Sequence, residues 1–261
     1  MNTGSSSSQE HLKRMESLSI SPEVFEKLYL SPENAVKGDL RKTFGNPTPV
    51  ALVGFVVALS PLSVELMGWR GAAGLSATIG ANYFFGGLLL IIAGILEFFL
   101  GNIFPTVVFL GYGAHFLTFA ATFQPFYAAV SSYTDPTAPS QQQTPAFASS
   151  FAFYALFMGV LSFVFLICSL RTNVVFVLIF IGATLGFCLA AAAFWTTAAG
   201  VAVGATLLKG TGGAFFVAAI FGWYLLAVIM FATLDLPFLA QLPVGDLSTV
   251  IKGRSQMVKR E

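Results

Sequence analysis

The chain is predicted to be an all-α, polytopic membrane bundle of six transmembrane helices. Three observations lead there. After residue 48 the sequence consists almost entirely of six long apolar stretches separated by short polar joints. Hydrophobic residues make up 56% of the 261 and charged residues only 10%, which is not the composition of a soluble globular domain. Each stretch is apolar all round, whereas a soluble helix of that length carries a polar stripe.

The predicted spans are Pro49 to Gly68, Ile79 to Leu100, Pro105 to Gln124, Phe147 to Cys168, Asn173 to Trp195 and Gly212 to Leu234. Each reaches the ~20 residues that a helix needs to cross the hydrocarbon layer. Three zones follow: a Ser- and charge-rich tail, 1–43, expected to be disordered and cytoplasmic; a transmembrane domain, 44–234; and a short cytoplasmic tail, 235–261.

Asn46-Pro47-Thr48-Pro49 opens the first span. Asn46 is suited to cap the helix, and Pro47 and Pro49 occupy its first turn, where a missing N–H costs nothing. The prolines also leave fewer N–H groups for an anion, so contact between substrate and Asn46 or Thr48 competes with a purely structural reading. In the second span Gly80, Gly87, Gly94 and Gly101 recur every seven residues and lie near one face. Such a face lets another helix approach closely, within or between subunits, as do Gly182 and Gly186 in the fifth span. The Ser131 to Ala146 joint is rich in Pro and Gln and carries no cation, which suits an outer loop.

Charge sets the expected orientation. Of the 13 Lys and Arg residues, only Arg70 and Lys209 fall on the side opposite the two tails and Arg171. Both termini are therefore expected in the cytoplasm. The first 48 residues lack the apolar core of a cleavable signal. Cys168 and Cys188 give neither a disulfide framework nor a metal-ligand spacing, and no cofactor motif is present. A net charge of +1 makes no case for nucleic acid; the basic tails read as membrane-facing anchors.

A few polar groups sit where lipid rejects them. Glu65, Asn82, Glu97 and His115 fall inside spans or at their ends. An ionisable group at mid-membrane costs roughly 2.5–3.5 kcal/mol on insertion scales and marks a pathway or a partnered site. Glu65 is near the outer end of its span, within reach of water or Arg70. Glu97 is expected to bond neighbouring backbone or Asn46. Tyr112 and His115 form an i, i+3 pair on one face of the third span, where they meet neighbouring helices or a substrate.

Asn46-Pro47-Thr48-Pro49-Val50-Ala51-Leu52 resembles the Asn-Pro-Ala-Pro-Leu-Gly-Leu signature of the acetate uptake transporters, which include the bacterial succinate-acetate permeases. A second block, Gly86-Gly87, Ala93-Gly94, Glu97-Phe98, Gly101-Asn102, Phe104 and Tyr112-Gly113, follows the family's order and spacing. The tail Pro243-Val244-Gly245-Asp246-Leu247 is similar to that of fungal members. Departures are Thr48, Val50 and Ala51 in the signature, Ile103 after Gly-Asn, and His115-Phe116 where an aromatic pair is usual.

The resemblance implies a plasma-membrane homohexamer, each subunit carrying its own route for acetate and related monocarboxylates, succinate among the candidates. It also implies a constriction formed by Phe55, Tyr112 and a position near Gly182 or Ala183, where a small residue would make the narrowing wider. Channel and proton symport stay open, with His115 and Glu97 the candidates for a titrating group. The alternatives are an acetate-responsive sensor or an ammonia-linked exporter. Paired pore histidines are missing, Asn46 is the only Asn followed by Pro, and Gly74-Leu75-Ser76 lies in a joint. These facts argue against an ammonia channel of the paired-histidine type, a water channel and an intramembrane serine protease; an enzyme is not expected.

Overall fold

The computed structural model describes residues 43–134, 145–236, 242–248 and 250–251. The expected disorder of the N-terminal tail and part of the 131–146 loop lie outside the described residues. Six helices are long and apolar enough to cross a membrane: α1 (Thr48–Met67), α2 (Ile79–Phe99), α3 (Ile103–Phe123), α4 (Pro145–Ser169), α5 (Val174–Ala198) and α6 (Val203–Thr233). Eleven of the twelve helix ends fall within three residues of the sequence expectation. The sixth helix begins nine residues earlier, because helical geometry runs on through Lys209 and Thr211 although hydropathy weakens there. At 31 residues it spans about 46 Å and outreaches the ~30 Å hydrocarbon layer.

Helix ends are set by local chemistry. Gly68 adopts φ 73°, a left-handed conformation that ends α1, and its N–H returns to the carbonyl of Glu65. Gly101, at φ 74°, makes the tight corner between α2 and α3. Asn173 caps α5, its side-chain oxygen accepting from the N–H of Phe176 at 2.9 Å. Within α2 the turns from Asn82 to Leu89 widen to i→i+5 hydrogen bonding, a π segment that periodicity does not reveal.

The helices pack in a ring. α1 lies against α2 and α6, α2 against α3, and α5 against both α4 and α6. α3 and α4 meet through long side chains, Tyr112 to Ser162 and His115 to Tyr154. Because the helices alternate in direction, Thr48 and Thr233 lie at the same end, here called the tail side; the α1–α2 joint marks the opposite, loop side. α1, α3 and α5 all run from tail side to loop side and supply most of the interior.

Glycine does much of the packing. A Cβ on Gly86 would enter the ring of Phe116, one on Gly87 would strike Leu117, and one on Gly94 would lie 2.8 Å from Leu110. Of the heptad glycines, Gly87 and Gly94 thus serve contact with α3 inside one protomer, while Gly80 faces open space. Gly54 lets α1 approach the Phe85 carbonyl in the π segment, where a Cβ would stand 2.6 Å from the oxygen. Outward-facing residues are apolar, among them Phe84, Leu88 and Ile92 of α2 and Phe153, Phe157 and Phe163 of α4.

The C-terminal tail is not merely appended. Residues 242–248 and 250–251 return across the α4–α5 joint on the tail side. The Val174 N–H donates to Gly245 at 2.9 Å, and the Leu247 N–H donates to Thr172 at 3.0 Å. Tyr224 donates its hydroxyl to the Pro243 carbonyl at 2.7 Å, and Val244, only 2% exposed, joins the core.

Replacing Gly86 with Leu is expected to destabilise the protomer by about 3 kcal/mol through overpacking against Phe116. Leu at Gly80, on the same helix, should cost less than about 0.5 kcal/mol. Thermal unfolding of the two variants in detergent checks the difference.

Candidate functional site

The tail-side end is organised by a buried carboxylate. Glu97, near the end of α2, has no exposed surface. Thr48 donates its hydroxyl to Glu97 Oε1 and Asn102 donates its amide to Oε2. Asn102 also turns the corner into α3, its N–H donating to the Glu97 carbonyl at 2.9 Å. Asn46 does not reach Glu97 as expected; its Oδ1 accepts from the N–H of Thr48 at 3.0 Å. The helix start therefore forms a relay, Asn46 holding the backbone of Thr48 and Thr48 holding the carboxylate. Pro47 stands at the cap position and Pro49 follows in the first turn.

One to two turns further along lies a small cavity of about 30 Å³ with an apolar wall. Phe55 of α1 and Tyr112 of α3 line it, together with Phe176, Ile179 and Phe180 of α5. Tyr112 stacks on Phe180 with ring centres 6.3 Å apart and 17° between planes. The Tyr112 hydroxyl points elsewhere. Ser162 directs its own proton to the Met158 carbonyl at 2.8 Å, so Tyr112 donates to Ser162, at 2.9 Å. What Tyr112 offers the cavity is its ring, while its proton is engaged by α4.

Gly182 and Ala183 are not among the residues lining this cavity. Gly182 faces α6, where an added Cβ would stand 2.8 Å from the Ala214 carbonyl. Ala183 is buried one turn closer to the loop side. Phe109, Phe176 and Phe180 are lining aromatic residues that sequence reasoning missed.

A second, larger cavity of about 370 Å³ opens on the loop side. It is built from the same three helices, continued: Leu62, Glu65 and Leu66 of α1, His115 and Phe119 of α3, Phe187 and Ala190 of α5. α4 adds Tyr154, α6 adds Thr211 and Phe215, and Ala72 to Leu75 of the α1–α2 joint form part of the wall. Glu65 accepts a hydrogen bond from Thr78 at 2.9 Å, which ties the end of that joint back to α1. His115 Nδ1 pairs with the Tyr154 hydroxyl at 2.9 Å, and its ring meets the edge of Phe187 at 4.9 Å.

From Phe55 to Leu62, and from Phe180 to Phe187, is seven residues, so about 10 Å of helix separates the cavities along α1 and α5. Leu59 and Ala183 are buried in that interval. Asn82, also fully buried, lines neither cavity; its amide donates to the Thr78 carbonyl at 3.3 Å. No group of three or more His, Cys, Asp or Glu suited to a metal occurs among the described residues.

Thr48→Val is expected to destabilise the fold by about 1–3 kcal/mol, because it removes a donor from a buried carboxylate. Thr48→Ser, which keeps the hydroxyl, should recover most of that loss. Denaturation midpoints of the purified variants provide the check.

Comparison with known proteins agrees with this architecture. Protein alcS of Aspergillus fumigatus is 45% identical, over 89% of this chain and 86% of the relative. A protein of Aspergillus clavatus named acetate transporter protein patA is 31% identical, over 78% of this chain and 79% of the relative. Among solved structures, that of the bacterial acetate channel SatP superposes with a TM-score of 0.60 at 26% identity, covering 77% of this chain and 99% of the other. Residues 30–244 match the GPR1/FUN34/yaaH family, and with this fold and these relatives the chain belongs to it.

Proposed function

We propose that this chain carries acetate and related small monocarboxylates across a membrane, along a route between α1, α3 and α5. The observation that carries the reading is the pair of cavities aligned on those three helices, with Phe55, Tyr112 and Phe180 around the narrower one. A relative named as an acetate transporter and a structural neighbour described as an acetate channel supply the substrate class. The protein acts as a transporter or channel rather than as an enzyme. Its membrane is the plasma membrane, with both tails in the cytoplasm and the protomers assembled as a homohexamer. The broad apolar surface of α2 and α4 suits both lipid and neighbouring protomers.

The dimensions say how the route works. A cavity of about 30 Å³ has room for roughly two waters, each needing about 10–15 Å³. Acetate is larger, so a ring must turn aside for each passage. Phe55 is the movable piece, since Tyr112 is fastened to Ser162 and Phe180 is packed among Phe104, Phe165 and Tyr112. Phenyl edges carry partial positive charge and favour a carboxylate passing between them, while their bulk excludes larger solutes.

Labelled acetate is expected to enter liposomes containing the purified protein faster than it enters empty liposomes. Equal rates would overturn the reading. Phe180→Ala should raise uptake roughly tenfold, which corresponds to removing about 1.4 kcal/mol from the barrier. The same variant should extend transport to longer monocarboxylates, measured as competition against labelled acetate.

A further inference from the structure

We propose that Glu65 makes the loop-side cavity select undissociated carboxylic acids and hold back free carboxylate anions. The inference rests on the carboxylate reading above and assigns a specificity-determining residue within it.

The wall of that cavity carries an unusual set of groups for an anion route. Its titratable members among the described residues are Glu65 of α1, His115 of α3 and Tyr154 of α4. α5 contributes Phe187, Ala190 and Phe194, α6 contributes Leu208, Thr211 and Phe215, and none of these ionises. The joint adds Ala72, Ala73, Gly74 and Leu75. No Lys or Arg occurs among the described residues of the wall, and Arg70 and Lys209 stand exposed outside it. A carboxylate anion entering here meets a fixed carboxylate, apolar surface and no cation to offset either.

An undissociated acid meets a different site. Its O–H donates to a Glu65 oxygen; one of those oxygens already accepts from Thr78, which holds the side chain in place. Its carbonyl needs a donor. The tautomer in which Tyr154 donates to His115 Nδ1 puts the ring proton on Nε2, and that N–H supplies one. The methyl group then rests against Phe119, Phe187 and Phe215. The wall thus matches an acid's one donor, one acceptor and short apolar end.

The test uses the full chain in liposomes at pH 7.5, with a membrane potential and a pH gradient imposed separately. Neutral acid leaking through lipid does not respond to the potential, so the potential-driven component reports anion passage alone. For the wild type, uptake above empty liposomes is expected to follow the pH gradient, with little response to potential. Glu65→Gln keeps the size and the bond to Thr78 but removes the charge. It should raise the potential-driven component on the order of tenfold, the effect of deleting a like charge from the wall the anion passes.

Glu65→Asp should restore the wild-type behaviour. Thr78→Val, which removes the tie and leaves the charge, should keep the wild-type ratio of the two components. A potential-driven component equal in wild type and Glu65→Gln, with uptake intact, would overturn the assignment while leaving the transport reading in place. A Thr78→Val variant that copies Glu65→Gln would overturn it too, because packing of the joint would then be the cause. No uptake by the wild type under either gradient would remove the transport reading itself and this inference with it.

Discussion

The carboxylate of Glu97 fixes the tail-side geometry on which the rest of the protein depends. A polar group at membrane depth has no water to bond, so its partners must come from the protein and must be held in place. Among them are Thr48 at the beginning of α1 and Asn102 at the corner leading into α3. One side chain thereby joins three helix termini. α1 and α3 are the helices that carry Phe55 and Tyr112, and those rings line one cavity only if the two helices start in register. The Asn-Pro-Thr-Pro segment belongs to the same device, since Asn46 holds the backbone of the residue that holds Glu97.

From that anchored end the interior changes character along the helices. Bonded polar groups give way to a ring-lined narrowing, then to a roomier chamber with Glu65, His115 and Tyr154 in its wall. Aromatic rings fill the gaps because they cover a large area with few rotatable bonds and pack edge to face. Phe104, Phe165 and Phe180 are mutually arranged in this way, with centres 5.9–6.3 Å apart. Tyr112 joins that group through Phe165 and Phe180, and its hydroxyl is bonded to Ser162. Rigidity on the Tyr112 side leaves motion to the Phe55 side, which lies against Gly222 of α6 with no Cβ between them.

Much of this was legible in the sequence, and the part that was not has a common cause. Span number and approximate limits follow from hydropathy, while Phe55 and Tyr112 were singled out only by the family resemblance. In a soluble helix the polar stripe also tells which face is buried. Lipid erases that stripe, because outward residues such as Phe157 and inward ones such as Phe180 are equally apolar. Phe180 therefore could not be separated from its neighbours by pattern, and Gly182, a plausible lining residue, serves the contact with α6 instead. The partner of Glu97 was hidden for another reason: Thr48 lies 49 residues away, and only the fold brings it near. The early start of α6 was missed because Lys209 and a Thr-Gly run resemble a joint, while the helix simply continues past the membrane surface.

The C-terminal segment completes the argument about register. α4 and α5 are joined by only Leu170 to Asn173, and this joint supports the base of α5, from which Phe176, Ile179 and Phe180 project. Residues 242–248 and 250–251 brace it from outside, through backbone bonds to Thr172 and Val174 and the bond from Arg171 Nε to the Ile251 carbonyl at 3.3 Å. Gly245, at φ 69°, sits so close that a Cβ there would lie 2.7 Å from Val174. Tyr224 of α6 holds the near end of the segment, so α6 and the α4–α5 joint are coupled through it. Each of the three helices that line both cavities is thus fixed at its tail-side end by a specific contact. α1 and α3 are held by Glu97 and α5 by the returning tail.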